Sequence, residues 1–160
     1  MGGGILPMCF INNHPHFLFS RESIYQKYDS GLWSDFGGST EKGESKFETA
    51  VREGWEESNG FLGDKDNIRR LLKEELVEHI ETKNYDSYLF KMDYDSEIEE
   101  IFSNDFKKMV IERNEFVVQH NGFYEKDSVK WMPLRDLNKN MGMFRPWYKH
   151  IVRLIIRRFN

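Results

Sequence analysis

The sequence predicts an α/β domain in which strands paired as hairpins alternate with amphipathic helices. Runs such as Ile5–Ile11 and Leu76–Thr82 have the composition of strands, and turn residues follow each run. The segments Ser45–Ser58 and Arg145–Phe159 instead carry apolar residues at helical spacing. A length of 160 residues with 39% hydrophobic residues suits one domain with a proper core. We therefore predict a single domain over residues 1–160.

The amino-terminal part predicts a β-hairpin, a loop and a short strand. Ile5–Ile11 and His16–Ser20 are the two hairpin strands, joined by turn residues. The polar stretch 21–30 predicts a loop, and residues 32–36 predict a short strand. Two glycines follow this strand and allow the backbone to bend before the next helix.

The first helix is predicted over Ser45–Ser58. Ser45 is a good N-cap and Glu48 follows three residues later, which is a capping-box pattern. Asn59 and Gly60 tolerate the left-handed conformation that ends helices. The apolar face of this helix comprises Phe47, Ala50, Val51, Gly54 and Trp55.

The rest of the chain predicts a further hairpin and three further helices. The expected elements are a helix at 64–73 with Asp66 as its cap, strands at 76–82 and 87–92, a helix at 96–109, a strand or sheet edge at 116–119, and a helix at 145–159.

The first helix carries three carboxylates on one side. Glu53, Glu56 and Glu57 fall within an arc of about 100°, nearly opposite the apolar face. Side chains three and four residues apart are neighbours, and like charges this close repel unless a cation lies among them. Hard divalent cations such as Mg²⁺ prefer carboxylate oxygens, so the cluster suits a metal. The alternative is an acidic helix face exposed to solvent.

The spacing around these acids resembles the Nudix box. Five residues separate Gly38 from Glu44, and seven more precede the next matching pair. Two residues then separate that pair from two adjacent glutamates. The matching identities are Gly38, Glu44, Arg52, Glu53, Glu56 and Glu57. The chain is thus similar to the Nudix hydrolases, the family of MutT-like enzymes.

Three positions depart from the family pattern. Gly54 and Gly60 stand where the family has aliphatic residues, and Asn59 stands where it has glycine. None of these departures removes a carboxylate. The resemblance extends from about Ile5 to Leu137, because a strand with an aromatic residue precedes the box. After the box, residues 129–137 resemble the segment of many family members in which a strand ending in a Trp leads through Pro-Leu into a short helical turn.

The resemblance implies a fold, an activity and a cofactor. The implied fold is the Nudix α/β/α sandwich with a curved mixed β-sheet. The implied activity is a pyrophosphohydrolase that uses Mg²⁺ or Mn²⁺ and cleaves a nucleoside diphosphate linked to another moiety. Water attacks one phosphorus of the pyrophosphate, and the metal neutralises charge and lowers the pKa of a bound water.

The resemblance also implies roles for individual residues. Glu53 and Glu57 are the expected metal ligands, and Glu56 either binds metal or acts as the base. A carbonyl of Gly37 or Gly38 completes the metal and substrate site. The expected role of Arg52 is to anchor a carboxylate, with Glu44 and Glu53 as its partners. Outside the box, Trp33 is either core or one wall of a base-stacking pocket, and Glu115 or Glu125 is a further candidate ligand or base.

The sequence leaves three hypotheses for what the protein binds or hydrolyses. A small nucleotide is expected, since every family substrate contains the pyrophosphate. Capped RNA is the alternative, because the last helix places Arg145, Lys149, Arg153 and Arg157 four residues apart as a basic ridge. A non-catalytic binding module of the same fold is the third hypothesis.

The composition of the chain excludes several classes of protein. A net charge of −4 argues against a broadly basic protein that coats nucleic acid. Cys9 is the single cysteine, which excludes an internal disulfide. No apolar run approaches the roughly 18 residues of a membrane span. We expect a cytoplasmic protein without a membrane segment.

Overall fold

A computed structural model of the protein describes residues 1–112 and 122–160. These residues form a mixed seven-stranded β-sheet and five α-helices. The strands are β1 (Gly2–Ile11), β2 (His14–Glu22), β3 (Trp33–Ser34), β4 (Phe36–Ser39), β5 (Leu76–Glu81), β6 (Tyr85–Lys91) and β7 (Lys126–Pro133). The helices are α1 (Lys46–Glu57), α2 (Lys65–Glu74), α3 (Ile98–Glu112), α4 (Leu134–Leu137) and α5 (Lys149–Phe159). Short 3₁₀ turns at Met141–Met143 and Pro146–Tyr148 connect the last two helices.

Strand β1 lies at the centre of the sheet and has different partners along its two edges. It pairs in parallel with β6 on one edge. On the other edge, Gly2–Ile5 pairs with β4, whereas Met8–Ile11 pairs with β2, and both of these pairings are antiparallel. This division brings the glycines of β4 beside the amino-terminal end of β1.

Strands β2 and β7 pair antiparallel with one irregularity. The register shifts between Arg21 and Glu22, so Ser128 faces Arg21 while Lys126 faces Glu22. A β-bulge of this kind bends a strand and redirects side chains. Here it sets an acidic and a basic side chain opposite each other at the end of the pair.

The helices cover both faces of the sheet. On one face α1, α2 and α3 pack over a core that includes Ile5, Leu18, Phe36, Val51, Ile68, Phe90, Phe102 and Trp131. On the other face α4 and α5 pack over Leu6, Met8, Phe17, Phe19, Leu89, Leu137, Tyr148, Ile151 and Ile155. The predicted three-layer α/β arrangement with a mixed sheet is confirmed.

A glycine lets α1 lie close to β1. The ninth of the twelve residues of the helix is Gly54, where an added Cβ would stand 2.4 Å from Cδ1 of Ile5. Glycine costs about 1 kcal/mol relative to alanine in a helix. The close approach explains why this residue occupies a position that the family pattern gives to an aliphatic residue.

Most predicted elements are present, with differences at their ends. Both hairpins and the helix after Ser45 are confirmed, and the Ser45 hydroxyl accepts from the Glu48 amide at 3.1 Å. The N-cap of α2 is Asp64 rather than Asp66, because the Asp64 carboxylate accepts a hydrogen bond from the backbone amide of Asn67. The strand predicted at 116–119 lies outside the described residues.

The basic ridge predicted on the last helix is wrong at its first member. Arg145 precedes α5, and its guanidinium bonds to the carboxylates of Glu22 and Asp29. Lys149, Arg153 and Arg157 remain on the helix, so the ridge is shorter than predicted. Among residues 1–112 and 122–160, no helix is long and apolar enough to cross a membrane.

Candidate active site

Glu57 is the most buried of the box carboxylates. It is the last residue of α1, and 3% of its surface is exposed. Its Oε2 accepts a hydrogen bond of 2.8 Å from the Gly37 amide and lies 3.7 Å from Nζ of Lys126. Burial raises the pKa of Glu57 well above its ordinary value, and Lys126 opposes that rise. Glu57 therefore does not lie on a solvated face, which was the alternative to a metal site.

Glu53 lies one turn earlier and directly under β4. A Cβ on Gly38 would stand 2.5 Å from Oε1 of Glu53, so a larger residue at this strand position would displace the Glu53 carboxylate. The same Oε1 accepts a hydrogen bond of 2.9 Å from the Arg52 guanidinium. Burial raises the pKa of Glu53, whereas Arg52 lowers it and the neighbouring Glu56 raises it further. The carboxylate is thus crowded between a helix, a strand and a like charge.

Arg52 holds several carboxylates together. Its Nε donates to Glu44 at 2.8 Å and its Nη2 donates to the other oxygen of the same carboxylate at 3.0 Å. The guanidinium also reaches Glu53, and Nη2 donates to the Ser39 carbonyl at 3.1 Å. The hydrogen bond from Arg52 holds the pKa of Glu44 at about 2, so Glu44 stays ionised. Glu44 and Glu53 are the two partners expected for Arg52 from the sequence.

Glu56 and Glu125 complete the acidic group. Burial raises the pKa of Glu56, although Arg52 opposes this from 3.4 Å. Burial, with repulsion from Glu53, Glu22 and Glu56, raises the pKa of Glu125 to about 7. Two carboxyl groups with raised pKa values therefore lie close to Glu53, on the helix and on the residue preceding β7.

A buried network of ion pairs lies next to Glu57. Lys126 is fully buried, and its Nζ lies 2.7 Å from Oε1 of Glu22 and donates to the Ser34 hydroxyl at 3.0 Å. Arg145 donates to the same oxygen of Glu22 at 2.8 Å and to Asp29 at 3.0 Å. Burial alone would lower the pKa of Lys126, but Glu57 and Glu22 raise it. Lys126 therefore stays protonated next to the box helix.

Many of these groups line one cavity of about 470 Å³, although Glu56 and Lys126 are not among its described lining residues. Its described walls include Gly37, Gly38, Arg52, Glu53, Glu57, Glu125 and Arg145. Polar groups and backbone of β4 dominate these walls. The arrangement can bind cations through carboxylates and can hold a polar, phosphate-sized group near Arg145 and the glycine backbone.

A scan against models of protein families matches the NUDIX domain over residues 7–155, which is most of the chain. The chain belongs to the Nudix family. It is a hydrolase that acts on phosphoanhydride bonds. No curated protein matches the sequence.

Solved Nudix proteins have a similar fold. The MutT protein from Methanosarcina mazei Go1 is 18% identical with a TM-score of 0.53, and the match covers 98% of this chain and 92% of that chain. An Ap4A hydrolase from C. elegans is 16% identical with a TM-score of 0.52, over 95% of this chain and 91% of that chain. The NUDIX domain of Shewanella oneidensis NrtR, complexed with ADP ribose, is 14% identical with a TM-score of 0.53, over 99% of this chain and 87% of that chain. At these identities the likeness concerns the fold alone.

The donor set of the Nudix box fits a hard divalent cation. Within the described residues, no three His, Cys, Asp or Glu side chains are already grouped as a metal site. Each box carboxylate instead bonds to Arg52 or to the Gly37 amide. Their oxygen chemistry is that preferred by Mg²⁺ and Mn²⁺, and their raised pKa values reflect negative charges that are poorly solvated.

The other predicted Nudix site residues lie in different places. Trp33 is not among the described residues that line the cavity; it packs on the core beneath α5, with the Arg21 guanidinium 5.9 Å from its ring centroid. Gly37 and Gly38 line the cavity, and Gly37 contacts Glu57 through its amide. Glu115 lies outside the described residues, whereas Glu125 borders the cavity.

Three functional neighbours were missed from the sequence. Glu22 was assigned to a loop, Lys126 had no role, and Arg145 was assigned to an exposed ridge. The bulge between Arg21 and Glu22 and the fold of the segment before α5 bring them together. No local signal in the sequence marks these three residues as neighbours, because pairing between distant strands brings them together.

Proposed function

We propose that this chain hydrolyses the pyrophosphate bond of a nucleoside diphosphate linked to another moiety, and that it does so with Mg²⁺ or Mn²⁺. One observation carries the proposal: Glu53, Glu57 and Glu125 border a single cavity that Gly37 and Gly38 also line. Their mutual repulsion and burial favour a divalent cation among them.

The residues that would hold the metal are Glu53, Glu56 and Glu57, with a carbonyl of Gly37 or Gly38. When bound, the ion supplies charge neutralisation and a more acidic water. The Gly37 amide and Lys126 orient Glu57, and Arg52 orients Glu53. Glu44 fixes the guanidinium of Arg52 through two bonds, so its role is positioning rather than contact with substrate.

Glu56 and Glu125 are the two candidates for the base that takes the proton from the attacking water. A pKa near the working pH favours this role, and that of Glu125 is raised to about 7. Separate Glu56→Gln and Glu125→Gln variants distinguish the candidates, because loss of the base removes the acidic limb of the pH–rate profile along with most of kcat.

The substrate is proposed as a small nucleotide. Support comes from similar folds in an Ap4A hydrolase and in a NUDIX domain complexed with ADP ribose. We also infer that residues 1–160 act as one domain, since both helical layers pack on one sheet. A cytoplasmic location is proposed from the single cysteine, which is buried and unpaired.

A substrate panel tests the proposal. Phosphate release would be followed with a coupled phosphatase for nucleotide sugars, ADP-ribose, dinucleoside polyphosphates, nucleoside triphosphates and capped RNA, each with Mg²⁺, with Mn²⁺ and with EDTA. We expect strong metal-dependent turnover of one nucleotide class. Folded protein that turns over none of these substrates would contradict the proposal and favour a binding module.

Capped RNA is the second candidate substrate. It rests on Lys149, Arg153 and Arg157, because Arg145 is engaged with Glu22 and Asp29. If this candidate is right, binding of capped RNA depends on salt, and charge reversal at Lys149 and Arg153 weakens it. Binding that is unchanged by these reversals eliminates the candidate.

A further inference from the structure

A second cavity adjoins the acidic one. Its volume is about 300 Å³, and Asn84, Tyr85 and Trp147 form the wall farthest from the carboxylates. Gly38, Ser39 and Arg145 line both cavities. A molecule whose phosphates occupy the acidic cavity can therefore extend its attached group into the second one across Gly38 and Ser39.

Trp147 offers a fixed aromatic surface to this cavity. Its side chain belongs to the 3₁₀ turn Pro146–Tyr148, which begins with a proline, and 40% of the residue remains exposed. The indole packs against Tyr85, with ring centroids 4.8 Å apart, and against Tyr148 at 5.4 Å. Both tyrosines are buried, so the indole is held in place before any ligand binds. Stacking on a preorganised ring costs little conformational entropy.

The charges around the cavity favour an uncharged planar group. Arg145 is the one cationic side chain among the described residues that line it, and Glu22 and Asp29 already neutralise this guanidinium. Its Cζ lies 5.3 Å from the Trp147 ring centroid, which further fixes the indole. A second phosphate chain would find little net positive charge here, whereas an aromatic ring would find an exposed indole.

We propose that this cavity binds the nucleobase of the substrate by stacking on Trp147, with Asn84 at the edge of the base. The proposal rests on the proposed function, since the phosphates must lie in the acidic cavity. It assigns base recognition to Trp147, whereas Trp33, which the sequence suggested for this role, packs on the core beneath α5.

Binding without turnover tests the site. Affinities for AMP, GMP, CMP, UMP and ribose 5-phosphate, which have no phosphoanhydride bond to cleave, would be measured by calorimetry with Mg²⁺, for the wild type, Trp147→Ala, Trp147→Phe and Tyr94→Ala. Tyr94 is an exposed aromatic residue outside the described lining of both cavities, which makes it the matched control. Melting curves verify that each variant is folded.

We expect Trp147→Ala to bind nucleotides about tenfold more weakly, while Trp147→Phe stays within about threefold of the wild type. Ribose 5-phosphate, which lacks a base, should bind weakly and equally to the wild type and Trp147→Ala. The proposal is overturned if Trp147→Ala binds nucleotides as well as the wild type does, if the wild type does not prefer nucleotides over ribose 5-phosphate, or if Tyr94→Ala causes the same loss.

The outcome separates this site from catalysis. Nucleotide binding that depends on Trp147, in a protein that hydrolyses nothing, would support the site and reject the proposed hydrolysis. Turnover of a nucleotide with unchanged affinity and KM in Trp147→Ala would reject the site and leave the hydrolysis standing.

Discussion

Lys126 should be one of the most important residues for stability, although it touches no solvent. Its ammonium lies 2.7 Å from Glu22 and 3.7 Å from Glu57, and its side chain is fully buried. Replacing it with methionine keeps most of the volume and removes the charge, which leaves two buried carboxylates with less compensation. Removing one partner of a buried ion pair costs about 3–5 kcal/mol. Because Arg145 still bonds to Glu22 at 2.8 Å, we expect about 3 kcal/mol, the lower end of that range.

Urea denaturation of Lys126→Met, followed by circular dichroism in EDTA at neutral pH, measures this loss. Lys130→Met is the matched control, because Lys130 lies on the same strand and is exposed; its effect should stay within about 0.5 kcal/mol. The loss from Lys126→Met should shrink as the pH falls and the carboxylates take up protons. The reasoning is refuted if Lys126→Met is as stable as the wild type at neutral pH, or if acidification leaves the loss unchanged.

Three other perturbations follow from the same contacts. Burial raises the pKa of Glu125 to about 7, and a raised folded-state pKa stabilises the protein fully below about pH 4.5 and no longer above about pH 7. The melting temperature in EDTA should therefore fall between about pH 5 and pH 8 and fall less in Glu125→Gln; a rise over that window contradicts the assignment. Arg52→Ala should lower both activity and stability, the latter by about 2–4 kcal/mol, because Glu44 loses two hydrogen bonds; an unchanged melting temperature would count against the anchoring role. Gly54→Ala gains about 1 kcal/mol of helix propensity but overlaps Ile5, so we expect a net loss of about 1–2 kcal/mol that Ile5→Val restores; a stabilised single variant would disprove the close packing.

The sequence was sufficient for the family and most of the fold. The residues of the Nudix box, from Gly38 to Glu57, lie in one continuous segment of the sequence. Their spacing can therefore be recognised without a structure. Helix α1 was predicted almost to the residue because Ser45 and Asn59 mark its ends through local backbone chemistry. Such signals act within a few residues of chain.

The environment of the carboxylates could not be predicted in the same way. A helical wheel puts Glu57 opposite the apolar face, yet β4 and Lys126 cover it. That burial depends on a bulge in β2 and on the pairing of strands far apart in sequence. The position of Arg145 was also predicted wrongly. Its spacing to Lys149 suggested that both lie on one helix face. A proline at position 146 instead starts a 3₁₀ turn, so the arginine lies before the helix.

The rate of hydrolysis as a function of Mn²⁺ concentration tests the central claim most directly. It would be measured on the best substrate of the panel for the wild type, Glu57→Gln and Glu48→Gln, the last being a half-buried acid on the same helix that is not among the described residues lining the cavity. We predict saturable dependence on metal in the wild type and in Glu48→Gln, no turnover in EDTA, and a loss of about a thousandfold in a folded Glu57→Gln. Wild-type turnover by Glu57→Gln, or turnover that persists in EDTA, would contradict the account.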